Sequence, residues 1–423
     1  MQIFKFGGAS VKDADSVKNV SSILKNNAKG HTVVVISAMG KMTNKLEELV
    51  NAYFHKGPNC LVLLEEIKQF HRGIAAGLFG VKDHPVYNDI ENVCVELLWA
   101  IEEEPSFSYN HHYDQIVAQG EILSTKIVSA YLSDQGLKSY WLDVRDIIQT
   151  DNTYREGKVD YALSETLVKA RLLPLFKEYS LVITQGFIGA TSENYTTTLG
   201  REGSDYTAAL LAYFTDAGRV VIWKDVPGVL NADPKYFKNT KKLDDLTYHD
   251  AIELTYFGAS VIHPKTIKPL QNKNIPLEVR SFLKPNEPGT IIKGSGTRSE
   301  VTSYIFKDQQ ILLSIMPKDF SFIAEDNLSD IFNLFSKYNV HIHMMQNSAI
   351  SFSVCTDDDP QKIEPLVEEL GNDFKVLYNE GVQLMTIRNY NPDIVAKLSE
   401  DKMILIEQRS RHTLQMVMKE TKN

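Results

Sequence analysis

The chain has 423 residues, of which 43% are hydrophobic and 23% are charged, a composition typical of a folded protein with two or three domains. Its formal net charge of −9 argues against a surface built mainly to bind nucleic acid. Three cysteines, Cys60, Cys94 and Cys355, lie far apart, and neither they nor the histidines have metal-ligand spacing, so no metal site is expected. There is no signal-peptide pattern and no apolar run of membrane-spanning length, so we expect a cytoplasmic protein that contacts no membrane.

Up to about residue 280, short apolar segments alternate with helical patterns, which predicts an α/β domain with a mainly parallel sheet covered on both faces. The clearest strands are residues 3–6, 32–37, 139–143, 181–187 and 220–223. Apolar residues spaced by three and four predict helices at 16–26, 43–53, 93–102 and 121–132. Residues 257–270 form another helix or a turn-rich segment, and the Pro- and Gly-rich stretch 282–298 is the best domain boundary.

After this boundary the pattern changes to small α+β modules. The predicted order is strand 312–316, helix 328–338, strands 340–345 and 349–355, helix 361–370 and strand 374–377, a βαββαβ unit. A weaker copy follows, with strand 382–387, helix 393–398 and strands 404–407 and 413–418. This copy lacks a final helix and strand unless it borrows from its neighbour.

Several predicted strands end in glycines and small polar residues. Lys5, Gly7 and Gly8 close the first strand, where an ammonium and bare backbone N–H groups can meet phosphate oxygens, although the P-loop spacing is absent. Ser37 and Thr43 follow the second strand, and they are equally compatible with simple helix caps. Open α/β sheets bind ligands at these carboxyl ends.

Further along the chain, Glu121 begins a predicted helix and could pair with a substrate ammonium, or simply interact with the helix dipole. Phe187 closes another strand beside glycines, where it offers an aromatic face or belongs to the core. The next strand ends in Lys224 and Asp225 before the turn at Gly228. Because five strand ends carry Gly with polar residues, a phosphate-handling site is the better interpretation.

The most informative segment is TTTLGREGSDYTAALLA, residues 196–212. Gly200 and Gly203 allow close backbone approach, and Ser204 can cap a helix whose N-terminus attracts anions. Arg201 adds a planar fork suited to a carboxylate or phosphate. Taken alone, the segment could also be an ordinary strand-loop-helix junction.

These motifs together make the chain resemble an aspartate kinase of the amino-acid kinase superfamily over nearly its whole length. The matching motifs are KFGGxS, SAxGxxTN, GExxS, TQGFIG, LGRGGSDYTAA, W(T/K)DVPG, ADPR and FGAxVxHPxTxxP, at residues 5–10, 37–44, 120–124, 184–189, 199–209, 223–228, 232–235 and 257–269. The resemblance implies a carbamate-kinase-like αβα catalytic domain at 1–285, an ACT-like regulatory module at 299–380 and a second, incomplete module at 381–423.

The resemblance also implies an activity: transfer of the ATP γ-phosphoryl group to L-aspartate, the first step toward lysine, threonine and methionine, with Mg²⁺ arriving bound mainly to ATP. Lys5 and Asp205 would be catalytic, with Lys5 stabilising the transferring group. Aspartate would be bound by Ser37, Thr43, Glu121, Phe187, Arg201 and Ser204. The nucleotide would be bound by Lys5, Gly7, Gly8, Lys224, Asp225, Gly228 and Lys235.

Five positions depart from the family pattern and put details of nucleotide contact in doubt. Ala9 replaces a threonine, Glu202 a glycine, Leu230 a tyrosine, Lys235 an arginine and Ser260 a lysine. Lys224 could supply some of the missing positive charge. Glu202 has no explanation from the sequence.

The resemblance further implies regulation by an amino acid and assembly into a homodimer or higher homo-oligomer. The expected effector residues are Met316, Asp319, Gln346, Asn347 and Ser348. His343 lies where lysine-sensitive relatives can carry an aspartate, so an effector other than lysine, or none, stays open. The alternatives to an aspartate kinase are another kinase of the superfamily, acting on glutamate or uridylate, and a catalytically inactive amino-acid sensor.

Overall fold

The computed structural model describes residues 1–80, 83–258, 262–295, 301–319 and 321–420. These form two compact units. The first contains the described residues of 1–229, 242–252 and 261–299, and the second contains those of 230–241, 253–260 and 300–423. Within the described ranges, we find no helix with both the length and the apolar character that a membrane crossing requires.

The first unit is built on an eight-stranded, mainly parallel sheet with the order β3-β4-β2-β1-β7-β9-β10-β8. The described strands of this unit are β1 (Gln2–Phe6), β2 (Thr32–Ile36), β3 (Ser139–Leu142), β4 (Leu181–Gln185), β5 (Ile188–Ala190), β6 (Thr196–Thr198), β7 (Arg219–Lys224), β8 (Asp245–Thr247), β9 (Leu277–Ser281) and β10 (Thr290–Lys293). Strands β5 and β6 pair with each other outside the large sheet. Every residue of β1, β2 and β4 is buried, as expected for parallel strands covered on both faces. The predicted fold class is therefore confirmed for this part of the chain.

The helices before residue 300 include the predicted ones, with longer bounds. They are α1 (Ala14–Asn27), α2 (Met42–Phe54), α3 (Cys60–Phe79), α4 (Val86–Glu102), α5 (Tyr109–Val117), α6 (Gln119–Asp134), α7 (Tyr161–Leu167), α8 (Gly203–Phe214), α9 (Tyr248–Phe257) and α10 (Pro264–Asn272). The predicted segment 257–270 is thus the end of one helix and most of another. Helices α6 and α8 pack against strands of the large sheet.

The second unit is an antiparallel sheet with the order β12-β13-β11-β14-β16-β15. Its elements are β11 (Ser303–Pro317), α11 (Glu325–Lys337), β12 (Ile342–Asn347), β13 (Phe352–Asp357), α12 (Pro360–Asp373), β14 (Phe374–Arg388), α13 (Pro392–Leu398), β15 (Lys402–Arg409) and β16 (Thr413–Glu420). Residues of α11 and α12 share one core with β11 and β13, and residues of α13 share another with β14 and β16. The predicted α+β module is confirmed.

One prediction in this unit is wrong. The strands predicted at 374–377 and 382–387 are a single strand, β14, which pairs with β11 along both of its halves. The first half of β11, from Ser303 to Lys307, lies opposite Leu384 to Arg388. The second copy of the module therefore borrows a strand that comes before the first copy in sequence.

Candidate active site

The carboxyl ends of four parallel strands meet at one edge of the large sheet. The pairing register places Gln185, Ile36, Phe6 and Trp223 in one row at the ends of β4, β2, β1 and β7. The predicted site residues on and just after these strands therefore come together, as the sequence indicated.

Lys5, Asp205 and Lys224 form an ionic cluster at this edge, in which Lys5 and Asp205 are buried and Lys224 is half-buried. The Nζ atom of Lys5 lies 2.6 Å from Oδ1 of Asp205, and Nζ of Lys224 lies 3.4 Å from Oδ2. Asp205, in the first turn of α8, is only 2% exposed. Burial opposes its ionisation, but the two lysines outweigh burial and hold the pKa of Asp205 below its usual range. The cluster thus keeps two ammonium groups fixed at the ends of neighbouring strands.

Gly8 shows why this edge needs glycine after the first strand. A Cβ atom on Gly8 would lie 2.7 Å from the carbonyl oxygen of Gly40 and 2.8 Å from that of Ala38. The Gly40 N–H also donates to the Gly8 carbonyl at 3.1 Å. A Cβ on Gly7 would lie 3.4 Å from Nζ of Lys5, so the bare backbone lies directly beside that ammonium. This arrangement suits the oxygens of a phosphate.

Glu121 lies in the first turn of α6 and is 2% exposed. Its Oε1 accepts the Ala38 N–H at 3.3 Å, while its Oε2 has no hydrogen-bond partner among the described residues. Burial raises the pKa of Glu121 to about 8, with smaller opposing effects from the Ala38 N–H and Lys5. On the same helix, Ser124 donates to the Ser37 carbonyl at 2.7 Å. The buried, unpartnered oxygen is suited to a cationic group of a ligand.

Phe187 lies in a strained turn between β4 and β5. Its φ of 72° is unusual for a residue with a side chain, and its N–H donates to Oγ1 of Thr207 at 3.0 Å. A Cβ on Gly203 would lie 2.7 Å from the Phe187 ring, and one on Gly186 would lie 2.5 Å from Cβ of Ser204. Because neither glycine has a Cβ atom, this turn packs closely against the start of α8. Thr43, in the first turn of α2, is half-buried.

The loop before α8 carries Arg201 on its surface. Gly200 adopts a φ of 75°, and Arg201 is exposed and forms no ion pair within the described parts of the chain. Glu202 also has a left-handed φ, of 53°, and its Oε2 accepts the His263 N–H at 2.9 Å. This contact accounts for the one residue of the loop that the sequence left unexplained.

Asp114 is a buried residue that the sequence-based reasoning missed. Its Oδ2 accepts the N–H groups of Arg155 and Thr198 at 2.9 Å each, and its Oδ1 accepts the Thr198 hydroxyl at 2.7 Å. Gln115 exchanges two further hydrogen bonds with the backbone of Thr196. Burial raises the pKa of Asp114 to about 6, although these hydrogen bonds oppose the rise. Together, Asp114 and Gln115 anchor β6, the strand that leads into the Arg201 loop.

The other predicted nucleotide-binding residues, Asp225, Gly228 and Lys235, are not part of the ionic cluster of Lys5, Asp205 and Lys224. Asp225 is exposed, and Gly228 adopts a φ of 150°, where a Cβ would lie 2.4 Å from Oγ1 of Thr290. Lys235 is exposed and belongs to the second unit, as does the half-buried Leu230, so the role of Lys235 stays a prediction. Ser260 lies outside the described residues.

The predicted effector residues occupy the second unit. Strands β11 and β12 both run antiparallel to β13, so their carboxyl ends, with Met316 and with Gln346 and Asn347, lie at the same end of the sheet. Asp319 follows β11 and is exposed, and Ser348 bonds to Ser351 after β12.

His343, near the start of β12, lies between two charged groups. Its Nε2 is 3.0 Å from Oδ1 of Asp357, and its Nδ1 is 2.9 Å from Nζ of Lys307. Burial and then Lys307 lower the pKa of His343, and Asp357 opposes this. The imidazole therefore already has partners within the unit.

Comparison with known proteins gives consistent matches. The model of the amino acid kinase family matches residues 1–281. The lysine-sensitive aspartokinase 3 of Escherichia coli is 30% identical over 401 residues, which cover 91% of this chain and 86% of the relative. The crystal structure of E. coli aspartokinase III in complex with aspartate and ADP (R-state) is 28% identical, covers 99% of this chain and 96% of its own, and has a TM-score of 0.84. The crystal structure of the same enzyme in complex with lysine and aspartate (T-state) is also 28% identical. The match covers 99% of this chain and 95% of the chain in that structure, with a TM-score of 0.81.

Proposed function

The chain belongs to the amino acid kinase family and, within it, to the aspartokinases, and from this premise we propose how it transfers a phosphoryl group from ATP to L-aspartate. A side-chain carboxylate oxygen of aspartate attacks the γ-phosphorus of ATP. The bond from the γ-phosphorus to the β,γ-bridging oxygen breaks, and ADP and 4-phospho-L-aspartate form. Such a reaction depends on alignment and charge neutralisation more than on covalent participation by the protein.

The observation that carries this proposal is the ionic cluster of Lys5, Asp205 and Lys224. One carboxylate holds two ammonium groups, so the cluster keeps a net positive charge at the ends of two adjacent strands. Lys5, beside the bare backbone of Gly7 and Gly8, binds oxygens of the transferring phosphoryl group and stabilises the charge that spreads over them. Lys224 binds phosphate oxygens of the nucleotide, and Asp205 fixes both ammonium groups in place.

Aspartate is held through its two charged α-substituents, which leaves its side-chain carboxylate free to react. Glu121, whose Oε2 is buried without a hydrogen-bond partner in the described parts of the chain, accepts the α-ammonium. Arg201, exposed at the loop before α8, binds the α-carboxylate through its planar fork. The rest of the aspartate pocket consists of Ser37, Thr43, Phe187 and Ser204.

The nucleotide needs the remaining charge neutralisation. When Mg²⁺ accompanies ATP, it would be held chiefly by phosphates and water and would supply neutralisation of charge on the phosphate oxygens. Asp205 is already paired with two ammonium groups, so it has little capacity to hold a cation as well. Asp225 and Gly228, just after β7, line the nucleotide side of the site.

The assay for this function measures ATP consumption with a panel of acidic amino acids, with the acyl phosphate trapped by hydroxylamine. We expect hydroxamate only with aspartate. Lys5→Met should lower kcat by about a thousandfold, since it removes a charge that acts in the transition state. The matched control is Lys25→Met on the exposed face of α1. If the unaltered chain forms no aspartate hydroxamate, the function is wrong, and a product from glutamate alone would assign the glutamate kinase alternative.

We propose that the second unit binds an amino-acid effector at the ends of β11 and β12. Support comes from the shared position of Met316, Gln346 and Asn347 at one end of the sheet. The E. coli relative is named lysine-sensitive, and one of its structures contains lysine. In this chain His343 is already engaged by Lys307 and Asp357. Titrating lysine and threonine separately into the kinase assay identifies the effector, and activity unchanged by either removes both.

We also propose that the chain forms a homodimer through the second unit. Strand β12 lies at an edge of the sheet. The first half of β14 pairs with β11 on one side, and its described pairing with β16 on the other side begins only at Gln383. This half carries Leu377 and Tyr378, which are 52% and 53% exposed. An unpaired edge with apolar side chains is suited to pairing with another chain. Sedimentation at micromolar concentration should give the mass of a dimer, and a monomer there contradicts the proposal.

A further inference from the structure

Glu202 occupies a backbone position that a residue with a side chain rarely adopts. Its φ and ψ of 53° and 29° lie in the left-handed region, which glycine enters without cost. The residue stands between Arg201 and the first residue of α8. A glutamate at this position therefore needs a compensating interaction.

The compensation is a contact with the start of α10. Oε2 of Glu202 accepts the His263 N–H at 2.9 Å, and His263 is the N-cap of that helix. A carboxylate at a helix N-terminus is also favoured by the helix dipole. Nζ of Lys265, in the first turn of α10, also donates to the Leu199 carbonyl at 3.3 Å. Two hydrogen bonds, both donated from the start of α10, thus join this helix to the Arg201 loop, and α10 itself packs against α8.

The contact with His263 also keeps the Glu202 carboxylate from pairing with Arg201. This carboxylate is directed at backbone N–H, and no ion pair forms between it and the neighbouring guanidinium of Arg201. Arg201 therefore keeps its charge available for an anionic ligand. At the other end of the loop, Asp114 anchors Thr198, so the loop is held on both sides.

We infer that Glu202 is a positioning residue: through the His263 N–H it fixes the Arg201 loop in the conformation that receives the carboxylate of the substrate. This inference rests on the proposed function, in which Arg201 binds aspartate. The departure from the family's glycine then has a specific purpose. The hydrogen bond that the Glu202 carboxylate accepts fixes a loop conformation that a glycine would leave free.

Two variants of the full chain test the inference. Glu202→Gly removes the anchor and relieves the backbone, so the melting temperature should hold or rise, while the KM for aspartate should increase about tenfold, the effect of losing one charge-assisted hydrogen bond. The KM for ATP should stay within about twofold of that of the unaltered enzyme. Glu202→Gln keeps an acceptor oxygen and should restore most of the affinity for aspartate.

The outcomes separate this inference from the proposed function. An unaltered enzyme without aspartate-dependent turnover would overturn the function itself. If the unaltered enzyme is active and Glu202→Gly has the same KM for aspartate, or raises both KM values equally, the positioning role is wrong. Amide hydrogen exchange gives an independent readout, since the His263 N–H should exchange faster in Glu202→Gly and near the original rate in Glu202→Gln.

Discussion

Replacing Glu121 by glutamine should stabilise the empty enzyme and weaken its binding of aspartate. Burial raises the pKa of this carboxyl from 4.5 to about 8. At pH 7 it must therefore take up a proton when the chain folds, which costs about 3 kcal/mol, since one pKa unit corresponds to about 1.4 kcal/mol. Glutamine needs no proton and keeps an oxygen that can accept the Ala38 N–H.

The pH dependence of this effect has a definite sign. Because the pKa of Glu121 is raised in the folded state, its contribution to stability is fully present below pH 4.5 and is lost as the pH rises through about 8. A glutamine side chain does not titrate, so the variant does not lose this stability as the pH rises. The melting temperature of Glu121→Gln should therefore match that of the unaltered enzyme at acid pH and exceed it by several degrees at pH 7.

Aspartate binding should respond in the opposite direction. Without the carboxylate, the α-ammonium of the substrate loses its charged partner, and the KM for aspartate should rise about a hundredfold, since breaking a buried charge pair costs about 3 kcal/mol. Steady-state kinetics measure this, with the exposed Glu178→Gln as the matched control. An unchanged KM for aspartate, or a melting temperature lowered equally at both pH values, refutes the reasoning.

Three further substitutions test other parts of the site. Lys224→Ala should raise the KM for ATP about tenfold by removing a phosphate contact, and an unchanged value ends that assignment. Gly186→Ala places a methyl group 2.5 Å from Cβ of Ser204 and should cost about 1–3 kcal/mol of stability, measured by urea unfolding. Asp114→Asn replaces one accepting oxygen with a donor facing the Thr198 segment and should lose about 1–3 kcal/mol, so equal stability in the same experiment contradicts the anchoring role.

The sequence predicted the site edge well because parallel strands bring their carboxyl ends together wherever they lie in the chain. Lys5 and Lys224 belong to segments far apart in sequence, yet both follow apolar runs that end at the same edge. Asp114 could not be found in this way. Its partner Thr198 is 84 residues away, and neither periodicity nor a motif connects the helix carrying one with the strand carrying the other.

The break predicted within β14 has a similar cause. Residues 379–381 are polar or small and exposed, which is typical of a turn, and Gly381 does adopt a φ of 63°. The strand nevertheless continues, because β11 supplies pairing partners on both sides of Gly381, opposite Asn379 and opposite Val382. Pairing with a strand distant in sequence therefore determines that β14 continues here, although the local composition favours a turn.

In the proposed function, the charges of the site allow two substrates to be bound side by side. In the empty enzyme Glu121 is mainly protonated at neutral pH, so the two ammonium groups of Lys5 and Lys224 face one carboxylate, Asp205, and positive charge remains for ATP. In the proposed function, Glu121 would release its proton when aspartate binds, and its negative charge would be balanced by the ammonium of the substrate. Under this proposal, phosphate and aspartate do not compete for Lys5. Both can be held together at neighbouring strand ends, which an in-line transfer between them requires.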